Sequence, residues 1–272
     1  NPTSSRPIIC YWIIGICIFI FLWQFTLPAE LSRSAVYSFG VIPSSLLGDN
    51  YIYIPASLTV VTSMFMHGGW MHLLGNMLYL WIFGDNIEES LGRFKFIVFY
   101  TLCGLVAALT QSLVDPTSNI PMIGASGAIA GVLGGYLILY PRANVNVLFW
   151  IFIFIKVFRI PAFIVLGVWI VGQFFDAGGS SSSGVAYFAH IGGFLAGICL
   201  VPLLKKPSIP LFQNANTTAF RDTGFNLSKD KLPKNIKINT DGDLIFKLLS
   251  NSKLAILAAG NIMYEAIYLK TP

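Results

Sequence analysis

GASGAIAGVLGGYLILY, residues 124–140, carries no charged side chain and repeats glycine every fourth residue, at Gly127, Gly131 and Gly135. A helix that is apolar on every face belongs inside a large protein or in a membrane. Small residues at this spacing let two membrane helices bring their backbones together. A second such stripe, Gly193 and Gly197, lies in AHIGGFLAG, residues 189–197. Composition decides between protein interior and membrane. Charged residues make up 11% of the 272-residue chain, apolar residues 55%, and mean hydropathy is +0.71. An ordinary soluble domain carries about 25% charged residues, and this chain in water would expose large apolar patches. Soluble enzymes and disordered chains are excluded on that ground. The net charge of +5 does not argue for nucleic acid, because the cations gather in the last quarter or scatter between apolar runs. The chain reads as an all-α polytopic membrane protein.

Charge-free runs of about 20 residues locate the spans. They fall near Ile8–Leu27, Gly69–Phe83, Phe96–Val114, Ile123–Tyr140, Ile160–Phe175 and Val185–Leu204. No small-residue cleavage site follows the first (Pro28-Ala29-Glu30), so it is expected to stay as a span. VNVLFWIFIFI, Val145–Ile155, is too short to cross and reads as an interfacial or re-entrant element. With six spans and a cytoplasmic N-terminus, Arg6, Arg93, Lys95, Arg142, Lys156, Arg159, Lys205 and Lys206 lie inside and only Arg33 outside, as the positive-inside rule requires. Residues 1–206 form the six-helix domain. Residues 207–272 form a Lys-rich cytoplasmic tail, with a short interfacial helix expected at 254–268. Residues 28–65 make a long external connection. Cys10, Cys17, Cys103 and Cys199 lie in apolar runs without CxxC spacing and read as buried, inert thiols.

Polar side chains inside spans are costly, and each is a functional hypothesis. His72 and Asn76 are one turn apart on the second span, Ser126 opens the fourth, and His190 lies near the start of the sixth. In the assigned orientation all three helices begin outside. At 1.5 Å rise per residue, the four side chains lie within roughly 10 Å of the outer end. If the glycine stripes of the fourth and sixth helices face each other, through Gly127, Gly131, Gly193 and Gly197, Ser126 and His190 come within hydrogen-bond reach. A serine beside an imidazole is a nucleophile with its base. No carboxylate shares this depth, so the expected unit is a dyad. His72, Asn76 and the backbone N–H groups at the start of the fourth helix are candidate oxyanion donors. His67, in the loop before Gly68-Gly69, reads as a structural residue. The chain has no HExxH helix and no third ligand for a metal.

HGGWMHLLGNMLYLWIFG (67–84), GASGAIAG (124–131), AHIGGFLAG (189–197) and the spacing Gly84-xxx-Glu88-xxx-Gly92 together resemble the bacterial rhomboid intramembrane serine proteases. The likeness covers about residues 8–206. It implies a cofactor-free serine endopeptidase with Ser126 as nucleophile and His190 as general base. His72, Asn76 and the backbone N–H groups of Ser126 and Ala125 would face the oxyanion. It implies transmembrane protein substrates cut near the outer face, with a preference for small residues. The setting would be the lipid bilayer of a bacterial inner (plasma) membrane, with both termini cytoplasmic. Two departures stand out. Many relatives carry an aromatic residue one turn after the nucleophile, where this chain has Ala130, so other neighbours must position His190. The loop motif of some members is not evident in 28–65. Two other readings stand beside this one. A non-catalytic scaffold of the same fold would bind client helices. A small transporter would want polar residues at the midplane and repeated halves.

Overall fold

The computed structural model describes residues 6–48, 54–151, 154–178, 185–213 and 254–255. The chain is mostly helical. Helix α1 spans Ile8–Thr26, α2 Ala29–Phe39, α3 Pro43–Leu47 and α4 Ala56–Thr62, the last followed by a 3-10 turn at Ser63–Phe65. Long helices α5 (Trp70–Leu91) and α6 (Arg93–Val114) come next, then α7 (Ser126–Leu139), α8 (Ala162–Gly178) and α9 (Tyr187–Leu204). Three of these, α1, α6 and α9, are long and apolar enough to cross a membrane by length and composition.

Helix α7 stands at the centre. Every residue from Ala128 to Tyr136 is buried, which explains why its sequence is apolar on all faces. Helices α5, α6 and α9 surround it. Large apolar side chains instead face outward from the peripheral helices: Trp12 and Phe19 on α1, Phe94 on α6, Phe163, Val168 and Phe175 on α8. An exposed apolar belt of this kind suits lipid and not water. Cys10, Cys17 and Cys103 are buried, but Cys199 is exposed. It occupies the outward stripe of α9 between Leu195 and Leu203, so one of the four expected buried thiols is not buried.

The contact between α7 and α9 is backbone against backbone. A Cβ placed on Gly193 would overlap the carbonyl oxygen of Gly127, and one on Gly197 that of Gly131. In the reverse direction, a Cβ on Gly134 would overlap the carbonyl oxygen of Phe194. A Cβ on Gly131 would also run into Cys103 of α6.

The Gly84-Glu88-Gly92 spacing serves one junction. Gly84 leaves room for Cys10 of α1, whose Sγ would lie 2.9 Å from an added Cβ. Pro7 offers no side-chain cap to α1. The Glu88 carboxylate acts in its place, accepting the N–H groups of Ile9 at 3.0 Å and Cys10 at 2.8 Å. These are first-turn amides with no partner inside the helix, and an anion there also suits the helix dipole. Gly92, at φ +84°, is the single residue between α5 and α6, a left-handed turn that glycine adopts without strain.

Some boundaries differ from the sequence expectation. Helix α5 runs past Phe83 to Leu91 because Asp85, Asn86, Glu88 and Ser90 are buried by protein rather than exposed to lipid. The fourth helix starts at Ser126, not Ile123, because residues 121–125 are held as a loop by contacts described below. The larger correction concerns Val145–Ile155, and with it the all-α class. Strands β1 (Asn144–Ile151) and β2 (Phe154–Pro161) pair antiparallel, from Asn144 opposite Pro161 to Ile151 opposite Phe154. The run is rich in β-branched and aromatic residues, which favour a pleated strand. Leu254–Ala255, the start of the expected tail helix, instead forms a short strand β3 parallel to β1, taking up the edge that β2 leaves open. The rest of 254–268 lies outside the described residues. The first tail residues fold back on the bundle, where the N–H groups of Phe212 and Gln213 cap the carbonyls of Ile138 and Leu139 at the end of α7.

The glycine seam gives a measurable contrast. Gly197→Ala should lower the unfolding temperature in detergent, since overpacking costs about 1–3 kcal/mol and here the obstacle is backbone. Gly15 of α1 has no atom within 4 Å of an added Cβ. Gly15→Ala should leave stability unchanged or raise it by up to about 1 kcal/mol through helix propensity. Equal effects of the two substitutions would remove the seam from its structural role.

Candidate active site

Ser126 is the first residue of α7, and the preceding loop fixes where it begins. Val41 and Met122 exchange two backbone hydrogen bonds, 2.9 and 2.7 Å, and Gly124 N–H donates to the Ser63 carbonyl at 2.9 Å. Gly124 takes φ +124°, a conformation open to glycine and strained for other residues. The connection 28–65, whose fold the sequence left undefined, thus grips the loop that delivers Ser126.

Across the glycine seam, His190 lies in the first turn of α9. Its Nε2 is 2.9 Å from Ser126 Oγ. On the other side of the ring, Nδ1 is 2.6 Å from Oε1 of Gln173 on α8. With Oε1 accepting, the proton sits on Nδ1, and Nε2 is left to accept from the serine hydroxyl. Two aromatic rings flank the imidazole. Trp169 lies 6.0 Å away, tilted by 35°, and Tyr187 lies 6.5 Å away, edge-on. Ala130 supplies no ring.

His72 and Asn76 converge from α5 onto Gly124. A Cβ on Gly124 would stand 2.6 Å from His72 Nε2 and 3.6 Å from Asn76 Nδ2. His72 Nδ1 accepts the Gly68 N–H at 3.3 Å, which leaves the ring proton on Nε2, facing the Gly124 backbone. Asn76 is buried, and among the described residues its Nδ2 has no hydrogen-bond partner. Two side-chain donors therefore end beside the strand of chain that leads into Ser126. The N–H groups of a helix's first turn lack intrahelical partners, so Ser126 and Ala125 stand where further donors are expected. A cavity of about 50 Å³ adjoins Ser126, lined by Ser63, Gly104, Ala107, Gly124 and Ala189 among others. Among the described residues no three His, Cys, Asp or Glu side chains converge as a metal site.

Gln173 and Gln24 escaped the sequence reading. The Gln24 amide accepts the His67 N–H at 3.2 Å and donates to the His67 carbonyl at 3.5 Å, so His67 is pinned through its backbone by α1. Its ring packs edge-on against His72 at 5.2 Å. Both glutamines interrupt apolar runs, which is a signal in itself; a search by charge passes over neutral amides.

The Rhomboid domain family model matches residues 56–207. Rhomboid-like protein 11, chloroplastic, of Arabidopsis thaliana is 31% identical over 188 residues, 62% of this chain and 61% of that protein. Rhomboid protein 1, mitochondrial, of Saccharomyces cerevisiae is 30% identical over 157 residues, 54% of this chain and 41% of that protein. Rhomboid protease GluP of Bacillus subtilis is 25% identical over 209 residues, 77% of this chain and 37% of that protein. The chain thus spans between about two fifths and three fifths of the length of these curated relatives.

His67 makes the fold sensitive to acid. It lies buried in the loop before α5, with the Phe65 backbone beside its ring. Burial, followed by the neighbouring His72, lowers its pKa from the ordinary 6.5 to about 3. Between those values the unfolded chain binds a proton that the folded chain refuses, so stability falls as pH falls. The unfolding temperature in detergent should drop as pH goes from 7 to 4, and His67→Phe should flatten that slope. An unchanged slope in the variant would assign the acid sensitivity elsewhere.

Proposed function

The chain belongs to the rhomboid family, and from that membership we propose that it is an intramembrane serine endopeptidase cutting transmembrane segments of other membrane proteins. The observation that carries this reading is the 2.9 Å approach of His190 Nε2 to Ser126 Oγ. Gln173 on the far nitrogen and the unpaired donors of α5 support it. In the proposed reaction the Ser126 hydroxyl proton passes to Nε2 as Oγ bonds to the scissile carbonyl carbon. Negative charge then grows on the carbonyl oxygen, where His72 Nε2–H, Asn76 Nδ2–H and the first N–H groups of α7 are the nearest donors. When the C–N bond breaks, the imidazolium returns its proton to the leaving amine. Water releases the acyl group by the same steps in reverse.

Small side chains suit this site. The cavity beside Ser126, about 50 Å³, is lined by small residues, among them Gly104, Ala107, Gly124, Gly127 and Ala189, a setting that admits a small side chain. For the membrane setting we adopt six spans, formed by α1, α5, α6, α7, α8 and α9, with the tail cytoplasmic and the dyad near the outer face. Eight flanking cations against one support that orientation. Helix α7, with only 14 residues, is short for a bilayer crossing of about 20. Its burial inside the bundle removes the need to match the lipid. The relatives include chloroplast, mitochondrial and bacterial proteins, so family membership leaves the choice of compartment to the host cell.

Ser126→Ala should abolish cleavage of a model transmembrane substrate and labelling by a fluorophosphonate, with the unfolding temperature nearly unchanged. Residual turnover at the wild-type rate would end the protease reading and leave the scaffold. His190→Ala should be nearly as damaging, and the double variant no worse than either single one, because the pair acts as a unit. Asn76→Ala should cost less, at or below the about 10²–10³-fold typical of one oxyanion donor. A loss as large as that of Ser126→Ala would give Asn76 a different role.

A further inference from the structure

Helix α8 buries only Ala162, Val165, Leu166 and Gln173, and Gln173 is the one polar residue among them. Burying an amide without a partner costs about 1–3 kcal/mol in proteins. This amide has one, and it is the ring nitrogen of His190 that Ser126 does not use. Trp169, one turn earlier on the same helix, packs against the same imidazole. Residues four apart share a helix face, so one face of α8 presents both Gln173 and Trp169 to His190. The ring is held there from α8, whereas position 130 on α7 offers only a methyl group.

We propose that Gln173 is a positioning residue for His190. Its Oε1, accepting from Nδ1–H, holds the imidazole in the tautomer and rotation that present Nε2 to Ser126. The inference rests on the endopeptidase reading above. A neutral acceptor does this without placing a carboxylate among apolar side chains, where an ion would need its own partner. It selects the tautomer but stabilises the imidazolium less than an anion would. Loss of the orienting acceptor in a soluble triad costs about 10⁴-fold, and the loss here should be smaller, about 10- to 100-fold.

Two variants of the full chain separate positioning from packing. Gln173→Met keeps the length and the packing and removes the acceptor. Gln173→Glu keeps an acceptor but buries a charge. Cleavage of a model transmembrane substrate should show kcat reduced in the Met variant by about 10- to 100-fold, with KM within about twofold of wild type. The Glu variant should retain more of the wild-type kcat than the Met variant, although it unfolds at the lower temperature. The order of the two variants in rate should therefore oppose their order in stability. Wild-type kcat in Gln173→Met overturns the inference, as does a loss of rate that follows unfolding temperature in both variants. Wild type and Ser126→Ala run alongside, with fluorophosphonate labelling. A wild-type chain that neither cleaves nor labels overturns the endopeptidase reading and this inference with it. A cleaving wild type with an unaffected Met variant overturns the role of Gln173 alone.

Discussion

The backbone contact between α7 and α9 sets the geometry on which everything else depends. Gly193 and Gly197 press against the carbonyls of Gly127 and Gly131, and Gly134 presses back against that of Phe194. Contacts this close bring Cα–H groups against carbonyl oxygens, a weak attraction that recurs at helix–helix interfaces. They also leave no slack. Ser126 is one position before Gly127, and His190 is one turn before Gly193, so the seam fixes how far apart the two stand. In the proposed reaction a displacement of about 1 Å between them can cost on the order of 10²-fold in rate, so the absence of side chains along the seam would be a condition for alignment as well as for packing.

The remaining polar groups are held from outside the seam by a series of local hydrogen bonds. Gln24 of α1 grips the backbone of His67, Gly68 holds the ring of His72, Ser63 receives Gly124, and Val41 pairs with Met122. Each contact joins an element of the first third of the chain to the loop or helix that carries a candidate functional side chain. The connection between α1 and α5 thereby acts as a frame for the site. Among the described residues no carboxylate bonds to His190, Ser126 or His72, which suits groups set among apolar helices, where every uncompensated charge is expensive.

Much of this was legible in the sequence, for reasons that also mark what was not. Charge-free runs found the long helices because lipid and a packed interior both exclude isolated charges. The same rule cut α5 short at Asp85, since it cannot separate a charge in solvent from one buried by protein. Glycine spacing identified the seam because small residues are the one local feature that a close backbone approach demands. The hairpin at 144–161 was missed in type because length alone showed only that the run could not cross a bilayer; its β-branched and aromatic content was the available sign. Gln173 and Gln24 show in the sequence only as amides within apolar runs, and their roles were illegible for a different reason. Their partners are His190 and His67, on other elements, and no periodicity within α8 or α1 points to them. The sequence reading did leave His190 without a positioning partner once position 130 proved to be alanine, and that gap is the one α8 fills.

The Glu88 cap on α1 has a consequence for biogenesis. The two amides it satisfies belong to Ile9 and Cys10, and the carboxylate is 79 and 78 residues further along the chain. Ribosomes add about 5–20 residues per second, so the first turn of α1 is synthesised roughly 4–16 s before the carboxylate that caps it. During that interval its first turn must find acceptors in headgroups, water or the insertion machinery. The arrival of α5 then does two things at once: Gly84 admits Cys10, and Glu88 replaces the temporary acceptors. Helix α1 is thus completed by a residue of α5, and a truncation that ends before Glu88 would leave its first turn without that carboxylate.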